Sequence, residues 1–137
     1  MDGVDLIRWI APVGVAIVLI ALGSLLPEPP RRRFSAIFLA GAGAAYLSGG
    51  FGVAEFAFCA TITILAYVGL ENYWAVALGW LLHSGWDIAH HLWGHPIIPF
   101  AATSSLGCAI CDPVLALWYA AGAPTIWRLR STVVERS

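Results

Sequence analysis

Five apolar stretches, each broken by a short polar or glycine- and proline-rich turn, run from residue 6 to residue 127. A helix needs about 20 mostly apolar residues to cross the hydrocarbon core of a bilayer. The pattern therefore predicts helical spans at about 6–26, 34–48, 53–70, 73–93 and 105–127. Pro27-Glu28-Pro29-Pro30 closes the first span, and Arg31 to Arg33 follow as a basic loop. The second span is short and holds Gly41, Gly43, Ala44 and Ala45, small residues that let helix backbones approach closely. Gly49-Gly50-Phe51-Gly52 turns the chain, and Glu71-Asn72 separates the third span from the fourth. Gly94-His95-Pro96 ends the fourth, because proline lacks a donor and disfavours helix in the residue before it. The predicted fold class is all-α, one domain built as a polytopic membrane bundle of five transmembrane helices. Merging residues 34–70 into one helix would give a span too long for a bilayer and interrupted by glycines.

Composition strengthens the membrane reading. Of 137 residues, 60% are hydrophobic and 11% charged, where a soluble domain carries about 25% charged residues. The net charge of −1 hides an asymmetry: there is no lysine, and five of the seven arginines cluster at Arg31–Arg33 and Arg128/Arg130, with Arg8 and Arg136 apart. Five crossings put both clusters on one side, so the positive-inside rule predicts a cell-membrane protein with its N-terminus outside and C-terminus cytoplasmic. Trp9 and Trp93 then fall at the outer interface, and Tyr73, Trp74 and Trp127 at the inner one. Such a charge pattern sets topology and is not a nucleic-acid footprint. The acidic start, Met1 to Asp5, lacks the basic character of a signal peptide, so the first span is expected to be retained.

The candidate chemistry lies in the fourth span. His83, His90, His91 and His95 are all the histidines of the chain, and Asp87 lies among them. At about 100° per residue, Asp87 falls about 40°, His90 about 20° and His91 about 80° from His83. Gly79, Gly94 and Val76 share that sector, while Leu78, Leu81, Ile88 and Leu92 occupy the opposite face, with Ala77 toward its edge. A central Asp costs about 2.5–3.5 kcal/mol to insert and each Leu or Ile returns only about 0.3–0.6. The helix thus needs partners from other spans.

Cys108, Cys111 and Asp112, near the start of the fifth span, are candidate partners and share one face if helical. Asp112-Pro113 also suits an N-cap and first helical position, which would leave the cysteines in the preceding loop. His91-x3-His95-x12-Cys108-x2-Cys111 has the ligand types and spacings of a tetrahedral zinc site in reversed order. Glu55 is the strongest candidate from the third span. Cys59 stands alone and is expected in the core.

Three chemistries compete. His83, Asp87 and His90, with Glu55 or Asp112, could hold a divalent transition metal, zinc first, with iron or copper as further choices, whose open position activates water or holds a substrate. Cys108 and Cys111 could form a redox pair or external disulfide. The Asp and His residues could instead relay protons or cations. Against all three stands a purely structural polar knot, although interhelical hydrogen bonds in membranes average only about 0.6 kcal/mol.

His83 and Asp87-Ile88-Ala89-His90-His91 resemble the H-x3-H and H-x2-H-H boxes of membrane fatty-acid desaturases and hydroxylases over nine residues. Asp87 stands where that pattern has a histidine, and four histidines are fewer than the family's several boxes require, so its di-iron activity is not carried over. The whole-chain layout is similar to small, functionally uncharacterised bacterial multi-pass membrane proteins. The leading expectation is a metal-binding membrane protein, with His83, Asp87, His90, His91, His95, Cys108 and Cys111 as ligand candidates. Asp87, Asp112 and Glu55 are the candidate acid–base residues, acting on a small lipophilic substrate. A proton- or cation-coupled transporter or channel subunit and a structural or accessory subunit are the alternatives. Besides the lipid bilayer, the expected partner is a second copy of the chain, because the glycine- and alanine-rich second span offers a flat contact face.

Overall fold

The computed structural model describes residues 3–127, and these form five helices with no strand. They are α1 (Gly3–Gly23), α2 (Pro30–Ala44), α3 (Val53–Gly69), α4 (Tyr73–Trp93) and α5 (Ser104–Ala120), with a short 3₁₀ turn at Ala45–Ser48 continuing α2. The all-α, five-helix expectation holds. The basic tail Arg128/Arg130, on which the topology argument partly rests, lies outside the described residues.

Two boundaries differ from expectation, each for a local reason. Pro30 sits at the start of α2, where its missing N–H costs nothing and its fixed φ suits a helix. Arg31–Arg33 are therefore helical, not a loop. Arg31 is buried, and its guanidinium donates to the carbonyls of Leu26 (2.9 Å), Ala123 (2.7 Å) and Ser24 (3.3 Å), tying the end of α1 to the segment after α5. The fifth helix stops at Ala120 and not near Trp127: Gly122 (φ +84°) and Ala123 (φ +47°) adopt left-handed conformations that break the helix, and Pro124 follows. Pro113, by contrast, is accommodated inside α5, so the N-cap reading of Asp112-Pro113 is not realised.

α4 is the hub of the bundle. It packs along α5 and against α3 and α2, while α1 packs on α5. Asn72 starts α4 by accepting from the Trp74 amide at 2.8 Å. Gly79 lets α2 approach closely, since a Cβ there would overlap Leu39, and a Cβ on Gly43 would lie 2.5 Å from Ile62 Cγ2. Part of the small-residue face of α2 is thus used within the bundle, while Gly41, Ala44 and Ala45 stay exposed.

Polarity is distributed inside out. Arg31, Glu55, His83, Asp87, His90 and Asp112 are buried, while large apolar side chains on all five helices are exposed. Of α4's apolar face, Leu78, Leu81, Leu82, Ile88 and Leu92 point outward, and Ala77 is buried. Among the described residues, one helical stretch, Asp5–Gly23, is both long and apolar enough to cross a membrane, and little of it is buried within the bundle. α3 and α5 are apolar but shorter.

Candidate functional site

Pro113 shapes the α4–α5 contact. It has no N–H, so the Ala109 carbonyl one turn earlier lacks its helical donor. Ser84 of α4 supplies one, with its hydroxyl donating to Ala109 O at 2.9 Å. This contact sets the two helices in register and brings Asp112 to the level of His83.

His83 is the centre of the site. Its Nε2 lies 3.0 Å from the carbonyl oxygen of Ala42 on α2. A carbonyl only accepts, so Nε2 carries the hydrogen. The other ring nitrogen, Nδ1, lies 2.9 Å from Asp87 Oδ2 and 2.9 Å from Asp112 Oδ2. All three side chains are buried. Two carboxylates converging on one imidazole nitrogen away from water call for a positive species between them. A proton or a metal ion would fill that role.

Asp87 is held from its far side. The Tyr46 hydroxyl, on the 3₁₀ turn after α2, donates to Asp87 Oδ1 at 2.5 Å. That uses its one hydrogen, so Ser105 Oγ, 2.7 Å away, donates to the Tyr46 oxygen, and Ser105 in turn accepts from the Ile97 amide at 2.9 Å. The chain of donors runs from the α4–α5 loop to the Asp87 carboxylate.

His90 belongs to a second cluster. Its Nδ1 is 3.0 Å from the His95 carbonyl oxygen, and its Nε2 lies 2.8 Å from Glu55 Oε1, in contact but off the line of a hydrogen bond. Glu55 also accepts from the Phe51 amide and the Trp86 indole N–H, each at 3.0 Å. The His90 ring is stacked on Tyr46 with centroids 3.9 Å apart, and Phe51 lies at 4.5 Å. Gly50 (φ +127°) makes room, because a Cβ there would lie 2.5 Å from His90 Cε1. Tyr46 is thus the shared wall of the two clusters, its hydroxyl serving one and its ring the other.

The structure therefore divides the residues singled out from the sequence. His83, Asp87 and Asp112 come together, with one ligand atom from each within 4.8 Å of the others, and among the described residues no other His, Cys, Asp or Glu group is close enough to hold an ion. His90 pairs with Glu55, not with His83 and Asp87. His91 and His95 are exposed, and Cys108 and Cys111 are free thiols. Histidines and cysteines are thus not assembled into one tetrahedral set. Tyr46 and Ser105 were not singled out by the sequence; the one signal for Tyr46 was a lone phenol at the end of an otherwise small-residue span.

His83 and Asp112 also border a cavity of about 540 Å³ between α1, α4 and α5, whose walls are mostly apolar. The site is buried from water yet reachable from this cavity.

A family model described as "Family of unknown function (DUF6010)" matches residues 7–125. No curated protein matches the chain, and no solved structure does.

Proposed function

We propose that this chain, which belongs to the DUF6010 family, is a multi-pass membrane protein that binds a divalent transition-metal ion at His83, Asp87 and Asp112. The observation that carries the reading is the convergence of two carboxylate oxygens on His83 Nδ1 while Nε2–H is anchored to the Ala42 carbonyl. Metal-ligating histidines characteristically donate their other N–H to a carbonyl or carboxylate, which fixes the ring for coordination. Tyr46 does the same for Asp87 by occupying its far oxygen. The two 2.9 Å spacings would let the three side chains share one ion at about 2.0–2.2 Å after a small spreading toward tetrahedral geometry. One imidazole and two carboxylates, without thiolate, suit zinc, iron or manganese. Three protein ligands leave positions for water or substrate, as in catalytic metal sites. Bound there, the metal would supply Lewis acidity; His83 and the two carboxylates would hold it, and the apolar walls would exclude bulk water.

The membrane reading is supported by exposed apolar side chains on every helix around buried ionisable groups. Trp9 and Trp93 are exposed at the expected outer ends of α1 and α4, and Trp74 at the inner end of α4. Exposed Gly41, Ala44 and Ala45 support a contact with a second copy.

Metal analysis of purified protein tests the proposal. Stoichiometric metal should be present in the wild type and lost in His83→Ala and Asp112→Ala, but retained in His91→Ala and His95→Ala. Metal-free wild-type protein of normal stability would sink it. One observation favours a second reading, proton or cation coupling: the Ile97–Ser105–Tyr46–Asp87 donor chain links the site to the α4–α5 loop. In that case Asp87→Asn should abolish proton-coupled flux in liposomes, and unchanged flux would exclude Asp87 as the carrier.

A further inference from the structure

Around the cavity beside the site, three helix contacts close and one does not. α1 packs on α5, α5 on α4 and α4 on α2, whereas α1 forms no comparable contact with α2. Phe38 and Ala42 of α2 nevertheless line the cavity together with Ala11 and Val15 of α1. Val15 and Phe38 are also 53% and 40% exposed on the outside of the bundle. The cavity therefore opens sideways, through the seam between α1 and α2. Its end nearest the α4–α5 loop is crossed by that loop: Ile97 is a lining residue, its amide donates to Ser105 Oγ at 2.9 Å, and the Ile98 amide donates to Ser104 Oγ at 3.0 Å. These bonds tie the loop to the first turn of α5.

The long axis of the cavity follows α1 and α5, which run parallel in one register. A Cβ on Gly107 would meet Pro12, and a Cβ on Gly23 would meet Trp118, two pairs with the same offset along the helices. Arg8 is thus level with Thr103, and Ile17 with Asp112. The nine steps from Arg8 to Ile17 rise about 13.5 Å, close to one leaflet of a hydrocarbon core about 30 Å thick. Exposed Arg8 stands at the end where the phosphate of a lipid in that leaflet would lie.

A space of about 540 Å³ that opens to hydrocarbon has a natural occupant. Water is unsuited to it, because an ordered water needs two to four polar partners and the walls are mostly apolar. Left empty, the wall atoms would forgo their dispersion contacts. What lies outside the α1–α2 seam in a bilayer is acyl chain.

We infer that the cavity takes up one acyl chain of a membrane phospholipid, which enters between α1 and α2 and lies along α1 and α5 with its far end beside His83 and Asp112. The inference rests on the membrane reading above and is independent of the metal. It gives the candidate site a hydrocarbon neighbour delivered from the bilayer and not from water.

The probe is phosphatidylcholine with a photoreactive diazirine in one acyl chain, placed near the ester in one preparation and far along the chain in another. Each is mixed into nanodiscs holding the full-length protein, and adducts are mapped by mass spectrometry. The near probe should reach Gly107 and Cys108, and the far probe Cys111 and Leu115, which line the cavity and are buried in the bundle. Outward-facing Ile64 and Ile88 report contact with bulk lipid. Gly107→Phe fills the cavity, since a Cβ there would meet only Pro12 Cγ at 3.8 Å, and Ala11→Phe fills it from α1. Either should abolish the adducts at Cys111 and Leu115 and leave those at Ile64 and Ile88. Labelling of Ile64 and Ile88 without Cys111 or Leu115 would overturn the inference, as would adducts at Cys111 and Leu115 that survive both substitutions or arise equally from both probes. If Ile64 and Ile88 also stay unlabelled, the membrane reading falls with it. Cavity adducts in wild type that carries no metal would support the chain site while refuting the metal centre.

Discussion

Tyr46→Phe is the cleanest probe of the polar core, because it removes one oxygen and leaves the ring stacked on His90. The hydroxyl joins Asp87 Oδ1 at 2.5 Å and Ser105 Oγ at 2.7 Å, and all three residues are buried. Without it the Asp87 oxygen loses its only donor and the Ser105 hydroxyl loses its acceptor. A hydrogen bond to a charged group contributes about 1.5–3 kcal/mol in water-soluble proteins. Interhelical polar bonds in membranes average about 0.6 kcal/mol and reach about 1.7, because the unfolded chain in lipid also finds partners. The short distance and complete burial put this pair at the upper end, so we expect a loss of about 1.5 kcal/mol. The assay is equilibrium unfolding in mixed micelles followed by circular dichroism, run as a double-mutant cycle with Asp87→Ala. In the Asp87→Ala background Tyr46→Phe should cost little, leaving a coupling of about 1.5 kcal/mol. Independent sites add within about 0.3–0.5 kcal/mol. Additivity within that margin would refute the assignment of Tyr46 as the group that positions Asp87.

Ser84→Ala should cost about 1 kcal/mol by stranding the Ala109 carbonyl; in a Pro113→Ala background, which restores the missing amide donor, the same change should cost almost nothing in the same unfolding assay. Gly79→Ala should destabilise by about 1–3 kcal/mol through overlap with fully buried Leu39, and Leu39→Ala should relieve part of that loss, so additive costs would contradict the close approach of α2 and α4. Arg31→Lys should behave nearly as Arg31→Met does, each losing about 2–3 kcal/mol, since one ammonium cannot reproduce the fork that reaches Leu26, Ser24 and Ala123; full stability of the lysine variant would show that charge alone matters there.

The helices were legible because each boundary is written in local chemistry. Asn72 caps α4, Gly94-His95-Pro96 ends it, and the fourth stretch read from the sequence coincides with α4 at Tyr73–Trp93. The errors fall where a residue serves a tertiary purpose. Arg31 looked like a solvated loop charge, and nothing in its neighbours shows that the carbonyl of Ala123, 92 positions on, joins those of Ser24 and Leu26 at its guanidinium. Pro113 looked like a helix start, and its tolerance inside α5 depends on a serine 29 positions earlier, Ser84, covering the carbonyl it frees. Local sequence cannot report a donor supplied by another helix.

The site was half legible for a reason that lies in the geometry of helices. A helical wheel records angle and discards height. His83 and His90 point about 20° apart but are seven residues and about 10 Å apart along the axis, so they meet different partners, Asp112 and Glu55. Height returns only with the register of the neighbouring helix. The pairs Ser84–Ala109 and His83–Asp112 fix α4 and α5 antiparallel, which sets Cys108 and Cys111 level with Leu82 to Trp86. His91 then lies roughly five residues, about 7.5 Å, above Cys108, and the ligand atoms of His91, His95, Cys108 and Cys111 do not gather into a group that could hold one ion. The zinc-like spacing of His91, His95, Cys108 and Cys111 therefore counted residues across a loop whose path sets them at different depths. The same register brings Asp112 to His83, so a single contact, the Ser84 hydroxyl on the carbonyl that Pro113 frees, separates the cysteines from His91 and His95 and completes the carboxylate pair.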